Sequence, residues 1–178
     1  MPENKIKIKH SGFWSNIFKV PAPKSEFREI LSAMTPFADL NDTEIDSLLS
    51  IIHDRSYING EYIFLQNDPG LGLYIIQKGE VVIERTTDKG QKVILANLYA
   101  GDVFGDLALI DGDNRSSSAK AVVDCKIGVI FRPDFDGFVE KYPDQGINIL
   151  RGIVKIVTMR LRRIIQDYII LLEQKNNI

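Results

Sequence analysis

The stretch from Phe104 to Ala121, FGDLALIDGDNRSSSAKA, constrains this chain more than any other. It reads as one short helical turn behind Gly101-Asp102 and Gly105, then a polar loop, then a β-rich run. The first turn of a helix carries free backbone N–H groups and the positive end of the dipole, and a glycine just before it lets an anion come close. Backbone amides around Ala108 can supply such donors, and Arg115 can add a full positive charge with a planar fork for two phosphate oxygens. Asp106, at the start of the turn, can accept from a hydroxyl pair such as that of a ribose. A phosphate subsite beside an acceptor for sugar hydroxyls points to a nucleotide. Both charged residues also have plainer readings. Arg115 can pair on the surface with Asp111 or Asp113, and Asp106 can simply cap the turn.

The flanks suggest an α+β fold. Phe27, Ile30, Leu31 and Met34 form one apolar helical stripe. After Thr35-Pro36, Asn41 with Glu44 makes a capping pair ahead of Ile45, Leu48, Leu49 and Ile52. From Ser56 to about Phe131 the period becomes two, with strands expected at Tyr74–Gln77, Val81–Arg85, Lys92–Leu98 and Lys126–Phe131. Turns at Asn59-Gly60, Asn67 to Gly70, Lys78-Gly79, Asp88 to Gly90, Gly101-Asp102 and Asp111-Gly112 space them regularly, as in an antiparallel β-roll or jelly-roll-like barrel. Asp134, Phe135 and Phe138 then form a short helical piece that Pro143 is expected to end. A long helix follows from about Gln145 to Glu173, about 40 Å in length. Ile147, Leu150, Val154, Val157, Leu161, Ile164, Tyr168 and Leu171 alternate three and four apart, a heptad seam. That length exceeds what a small barrel can cover, so the seam over 147–172 is expected to meet a parallel twin helix in a homodimer, the alternative being one amphipathic helix lying wholly on its own barrel. The expected division is an N-terminal appendage over 1–24, a helical segment over 25–55, the β-roll over 56–132 and C-terminal helices over 133–178.

Phe104-Gly105-Asp106-Leu107-Ala108-Leu109, followed by Arg115-Ser116, resembles the phosphate-binding cassette of cyclic-nucleotide-binding domains. Those domains occur in the catabolite activator protein, in regulatory subunits of protein kinase A and in gated channels. The resemblance runs from about residue 34 to 172, through Pro36-Phe37, Tyr62-Ile63-Phe64, Leu73 to Ile76 with Gly79, and Gly101 to Phe104. It implies a cyclic mononucleotide ligand, cAMP or cGMP, held by Phe104, Gly105, Asp106, Leu107, Ala108, Arg115, Ser116 and Ser117. It further implies that the helix after the roll closes over the base, for which Ile164, Ile165 and Tyr168 are candidates. A hydroxyl at the position of Ser116 leaves the choice of base open. Two positions depart from the family pattern: its usual Glu is Asp106 here, and the residue before the arginine is Asn114 rather than Pro. With Asp111 and Asp113 nearby, these departures predict weaker affinity, and they sustain an alternative in which the domain has lost its ligand and serves as a dimeric interaction scaffold.

Composition bounds the remaining possibilities. A net charge of −2 gives no general attraction to nucleic acid, and no run approaches the ~18 apolar residues of a membrane span. One cysteine, Cys125, excludes an internal disulfide and makes the cytoplasm the default location. Ser116, Ser117 and Ser118 have no neighbouring histidine to act as base, and no histidine–carboxylate cluster suits a metal, so no enzyme activity and no cofactor are expected. Lys5 to Phe18 mixes lysines with Ile, Phe and Trp, leaving a partner or membrane contact over residues 5–20 open behind the simpler docked helix. The chain has little room after its long helix for a DNA-reading domain. The expectation is a sensor that acts through an effector protein.

Overall fold

The computed structural model describes residues 24–176. The expected appendage therefore lies outside the described residues, apart from Lys24, as does the contact proposed for 5–20. Two compact units divide the chain, one holding Ile52–Arg132 and the other Lys24–Ile51 with Pro133–Ile178.

The first unit is built from eight strands: β1 (Ile52–Tyr57), β2 (Tyr62–Phe64), β3 (Gly72–Lys78), β4 (Glu80–Thr86), β5 (Lys92–Tyr99), β6 (Val103–Phe104), β7 (Ser118–Ala121) and β8 (Cys125–Phe131). They form two four-stranded sheets, ordered β1-β8-β3-β6 and β2-β7-β4-β5. All their pairings are antiparallel. Neither sheet closes on itself, so the architecture is an open roll rather than a hydrogen-bonded barrel. Alternate side chains from both sheets meet in one core that includes Tyr57, Ile63, Tyr74, Ile76, Val81, Phe104, Ile127 and Val129. Cys125 belongs to that core. Its thiol donates to the carbonyls of Glu80 and Val123 at 3.2 Å, and burial raises its pKa, so it packs rather than reacts.

Strand begins at Ile52, earlier than Ser56: residues 52–56 are all half-buried and only Tyr57 is buried, so β1 has no apolar alternation by which the sequence could reveal it. A single short helix, α3 (Asp106–Asp111), interrupts the roll between β6 and β7 where the helical turn was expected.

The second unit is helical. It comprises α1 (Lys24–Ala33), α2 (Asp42–Leu49), most of α4 (Arg132–Lys141) and α5 (Pro143–Asn176). Phe27, Leu31, Ile45 and Leu48 are the buried stripe. The Asn41–Glu44 capping box forms in both directions, at 3.1 and 2.7 Å. The preceding helix stops at Lys141, just before Pro143, and Pro143 also opens the long helix, as suits a residue with fixed φ and no N–H at the first helical position. Gly152 of α5 lies against the backbone of Pro36, where a Cβ would come within 2.1 Å of the Pro36 Cα. Ile149 and Ile153 are buried on this part of α5, whereas every residue from Leu161 to Lys175 is exposed.

Candidate functional site

The cassette hangs from a register set elsewhere in the sheet. Phe104 of β6 pairs with Tyr74 of β3, and their rings stack at 5.1 Å and 16°. Gly105 follows at φ 72°, a left-handed turn that leaves no space for a side chain. A Cβ there would lie 2.7 Å from Arg115 Nη1 and 3.0 Å from the Gly72 carbonyl oxygen. Glycine thus serves both the turn and the close approach.

Arg115 is aimed by the turn after β2. Its backbone N–H donates to the Asp68 carbonyl, and its own carbonyl accepts from Asn67 N–H, both at 2.8 Å. Asn67 adopts φ 70°, which an asparagine tolerates better than most residues. The Asp68 carboxylate accepts from Leu65 N–H, and the Ser118 hydroxyl accepts from Gln66 N–H, so the turn is tied at four points.

The arginine side chain runs inward and is only 4% exposed. Nη1 donates to the Gly105 carbonyl at 3.1 Å and Nη2 to the Gly72 carbonyl at 2.8 Å. Its Cζ sits 4.3 Å from the centre of the Phe64 ring and 5.2 Å from that of Tyr74. Nε is buried and has no hydrogen-bond partner among the described residues. Burial draws the Arg115 pKa down, opposed first by Tyr74 and then by Asp68 and Asp106 acting through space. The group stays cationic at any ordinary pH. A buried cation with a donor to spare is a demanding arrangement, and an anion would satisfy it.

The surface reading of Arg115 does not hold: Asp111 Oδ1 instead accepts from Asp113 N–H at 3.0 Å. Asp106 opens α3 and is 6% exposed, so the cassette also buries a carboxyl group. Phe104, Gly105, Asp106 and Arg115 come together in the first unit. Ala108 lies on α3, Leu107 is exposed there, Ser116 is exposed and Ser117 half-buried. The buried hydroxyl of the serine run is that of Ser118, which ties the arginine-aiming turn. Ile164, Ile165 and Tyr168 lie on the exposed half of α5. Among the described residues no group of histidines, cysteines and carboxylates could hold a metal ion, and no helix is long and apolar enough to cross a membrane.

Sequence reasoning did not assign Phe64, Gly72 and Tyr74 to the site. Gly72 did carry a signal. An isolated glycine in an apolar strand marks a close backbone approach, and a Cβ at 72 would fall 2.1 Å from the Ile130 carbonyl oxygen.

An open two-sheet roll with helical flanks and an inward arginine beside a glycine-led helical turn is the architecture of a small-ligand-binding domain. The sequence pattern that defines the cyclic nucleotide-binding domain matches residues 54–142. The chain belongs to that family. It is 35% identical to the cyclic AMP receptor protein of Thermus thermophilus over 71% of this chain and 56% of that one. Among solved structures, a cyclic nucleotide-binding domain from Methylobacillus flagellatus matches with TM-score 0.72 and 25% identity, over 78% of both chains. A cAMP-bound PfPKA-R matches with TM-score 0.61 and 31% identity, over 69% of this chain and 44% of that one. The chain spans little more than half the length of its Thermus relative.

Proposed function

We propose that the chain is a sensor for a cyclic mononucleotide, cAMP before cGMP, which relays binding through its long C-terminal helix. The observation that carries this reading is the inward Arg115 with an unpartnered Nε, next to a glycine-led helix start. Its guanidinium grips the phosphate together with backbone N–H groups of α3, and Asp106 accepts from the ribose. Phe104, Gly105, Leu107 and Ala108 shape the cassette, with Ser116 and Ser117 at its polar edge. A cAMP-bound neighbour and a cyclic AMP receptor relative at 31% and 35% identity favour cAMP.

Ile164, Ile165 and Tyr168 serve as the lid over the base in this reading. The exposed apolar residues of α5, Leu161 and Leu171 among them, support a homodimer through 147–172. A ligand shifts such a helix only by its difference in affinity between two states, and an effector protein in the cytoplasm reads the outcome. No catalytic step is assigned.

Titration calorimetry of the chain with cAMP and with cGMP tests the proposal. Binding of cAMP tighter than cGMP is the expected result. Heat signals indistinguishable from dilution for both ligands would favour the scaffold reading, in which the α5 dimer is retained and the pocket is vestigial.

A further inference from the structure

We propose that Phe64 is a positioning residue for ligand binding, holding the plane of the Arg115 guanidinium ready for the phosphate. This rests on the sensor reading of the same site. Two carbonyls, those of Gly72 and Gly105, hold the two terminal nitrogens. Two such anchors fix the ends of the fork and leave the group free to rock about the line joining them. A flat surface close to the group limits that freedom, and the Phe64 ring supplies one with the guanidinium carbon over it, 4.3 Å from its centre.

Tyr74 closes the other wall of the notch. The Phe64 and Tyr74 rings are 5.3 Å apart and inclined at 52°, with the guanidinium carbon 5.2 Å from the Tyr74 centre. Phe104 backs both rings, at 5.9 and 5.1 Å. Beyond the two carbonyls, Tyr74 and, through space, Asp68 and Asp106 support the cation, and the faces of the rings add quadrupoles that attract it. Nε is then presented in a fixed direction. A preorganised donor loses less freedom when it meets its ligand, which appears as affinity. Phe64 also belongs to the roll's core, so a purely structural role has to be separated from this one.

Three variants separate them, each followed by thermal unfolding, by cAMP calorimetry and by the side-chain 15N–1H spectrum of Arg115. Phe64→Leu is expected to bind cAMP about tenfold more weakly and to lose the ring-shifted, slowly rotating Arg115 signal. Phe64→Tyr, which keeps the ring, restores both. Ile63→Val, a buried neighbour without a ring, lowers the unfolding midpoint while leaving affinity and spectrum as in the wild type. If Phe64→Leu matches the wild type in affinity and spectrum, or if Ile63→Val weakens binding as much, Phe64 is only core packing. Failure of the wild type to bind any cyclic nucleotide would sink the sensor reading alone. The spectra of the unliganded variants would still decide whether Phe64 orders the arginine.

Discussion

The surroundings of Arg115 and the far half of α5 break the usual rule of protein interiors in opposite ways. Around residue 115 a full charge is 4% exposed, wrapped in aromatic rings and carbonyls. From Leu161 onward, apolar side chains stand in water, Leu161 at 55% and Tyr168 at 60% exposed. Burying a charge and exposing hydrocarbon both cost free energy, and a chain keeps such features where something else completes them. The completing groups differ in kind. In the proposed sensor these would be a small anion for the first region and, for the second, a surface broad enough to cover several turns of helix.

That contrast can be broken most forcefully at Arg115. If the proposed site is right, Arg115→Ala weakens cyclic nucleotide binding by roughly two to three orders of magnitude, since the variant lacks the buried charged donor assigned to the phosphate. An unchanged isotherm would take Arg115 out of the site. Two glycines under steric pressure, Gly72 beside Arg115 and Gly152 on the near, buried part of α5, sharpen the distinction. A methyl at Gly72 meets the Ile130 carbonyl oxygen at 2.1 Å, and one at Gly152 meets the Pro36 Cα at 2.1 Å. Either Ala substitution should cost about 1–3 kcal/mol in chemical unfolding, but only Gly72→Ala, which shifts a carbonyl that anchors the arginine, should also lower affinity in calorimetry.

On the helical side, Leu161→Lys with Ile165→Lys should leave the unfolding midpoint nearly unmoved at concentrations where the chain is monomeric, because both side chains are exposed within the protomer. The same pair should raise the dimer dissociation constant by at least about tenfold in sedimentation equilibrium. A wild type that sediments as a monomer would refute the proposed twin. The smallest effect is expected at a surface network on the second sheet. Lys92 and the Tyr62 hydroxyl both donate to Glu84, at 2.7 and 2.6 Å, and hold its carboxyl below the usual range. A depressed carboxylate pKa stabilises the fold above the ordinary glutamate range, and that stability is lost as pH falls through the lowered value. Glu84→Gln should therefore flatten the acid limb of stability against pH while costing less than about 1 kcal/mol at neutral pH.

Local chemistry made part of this molecule legible in its sequence. The Asn41–Glu44 box, the glycine before the cassette turn and the heptad spacing of α5 each concern residues within a turn or two of one another. The walls around Arg115 were not legible because they are assembled from a distance. Gly72 lies 43 residues from its guanidinium partner, and only the pairing of β3 with β6 brings Tyr74 to Phe104. No periodicity encodes which strand lies beside which. Short strands such as β2 and β6 were equally faint, having two or three residues to show a pattern. Pro143 marks the break between α4 and α5 as expected, but α5 starts two residues before the expected Gln145, since a proline that follows one helix can also begin the next.

The grip of Gly152 on Pro36 has a mechanical consequence. It pins α5 near one end, and the remaining run from residue 152 to 176 extends about 36 Å beyond that fulcrum. A tilt of about ten degrees at the pin would sweep the free tip through about 6 Å, further than one helical pitch. In the proposed relay, a methyl-sized change at one point would thereby be magnified into a displacement of several ångströms at the tip.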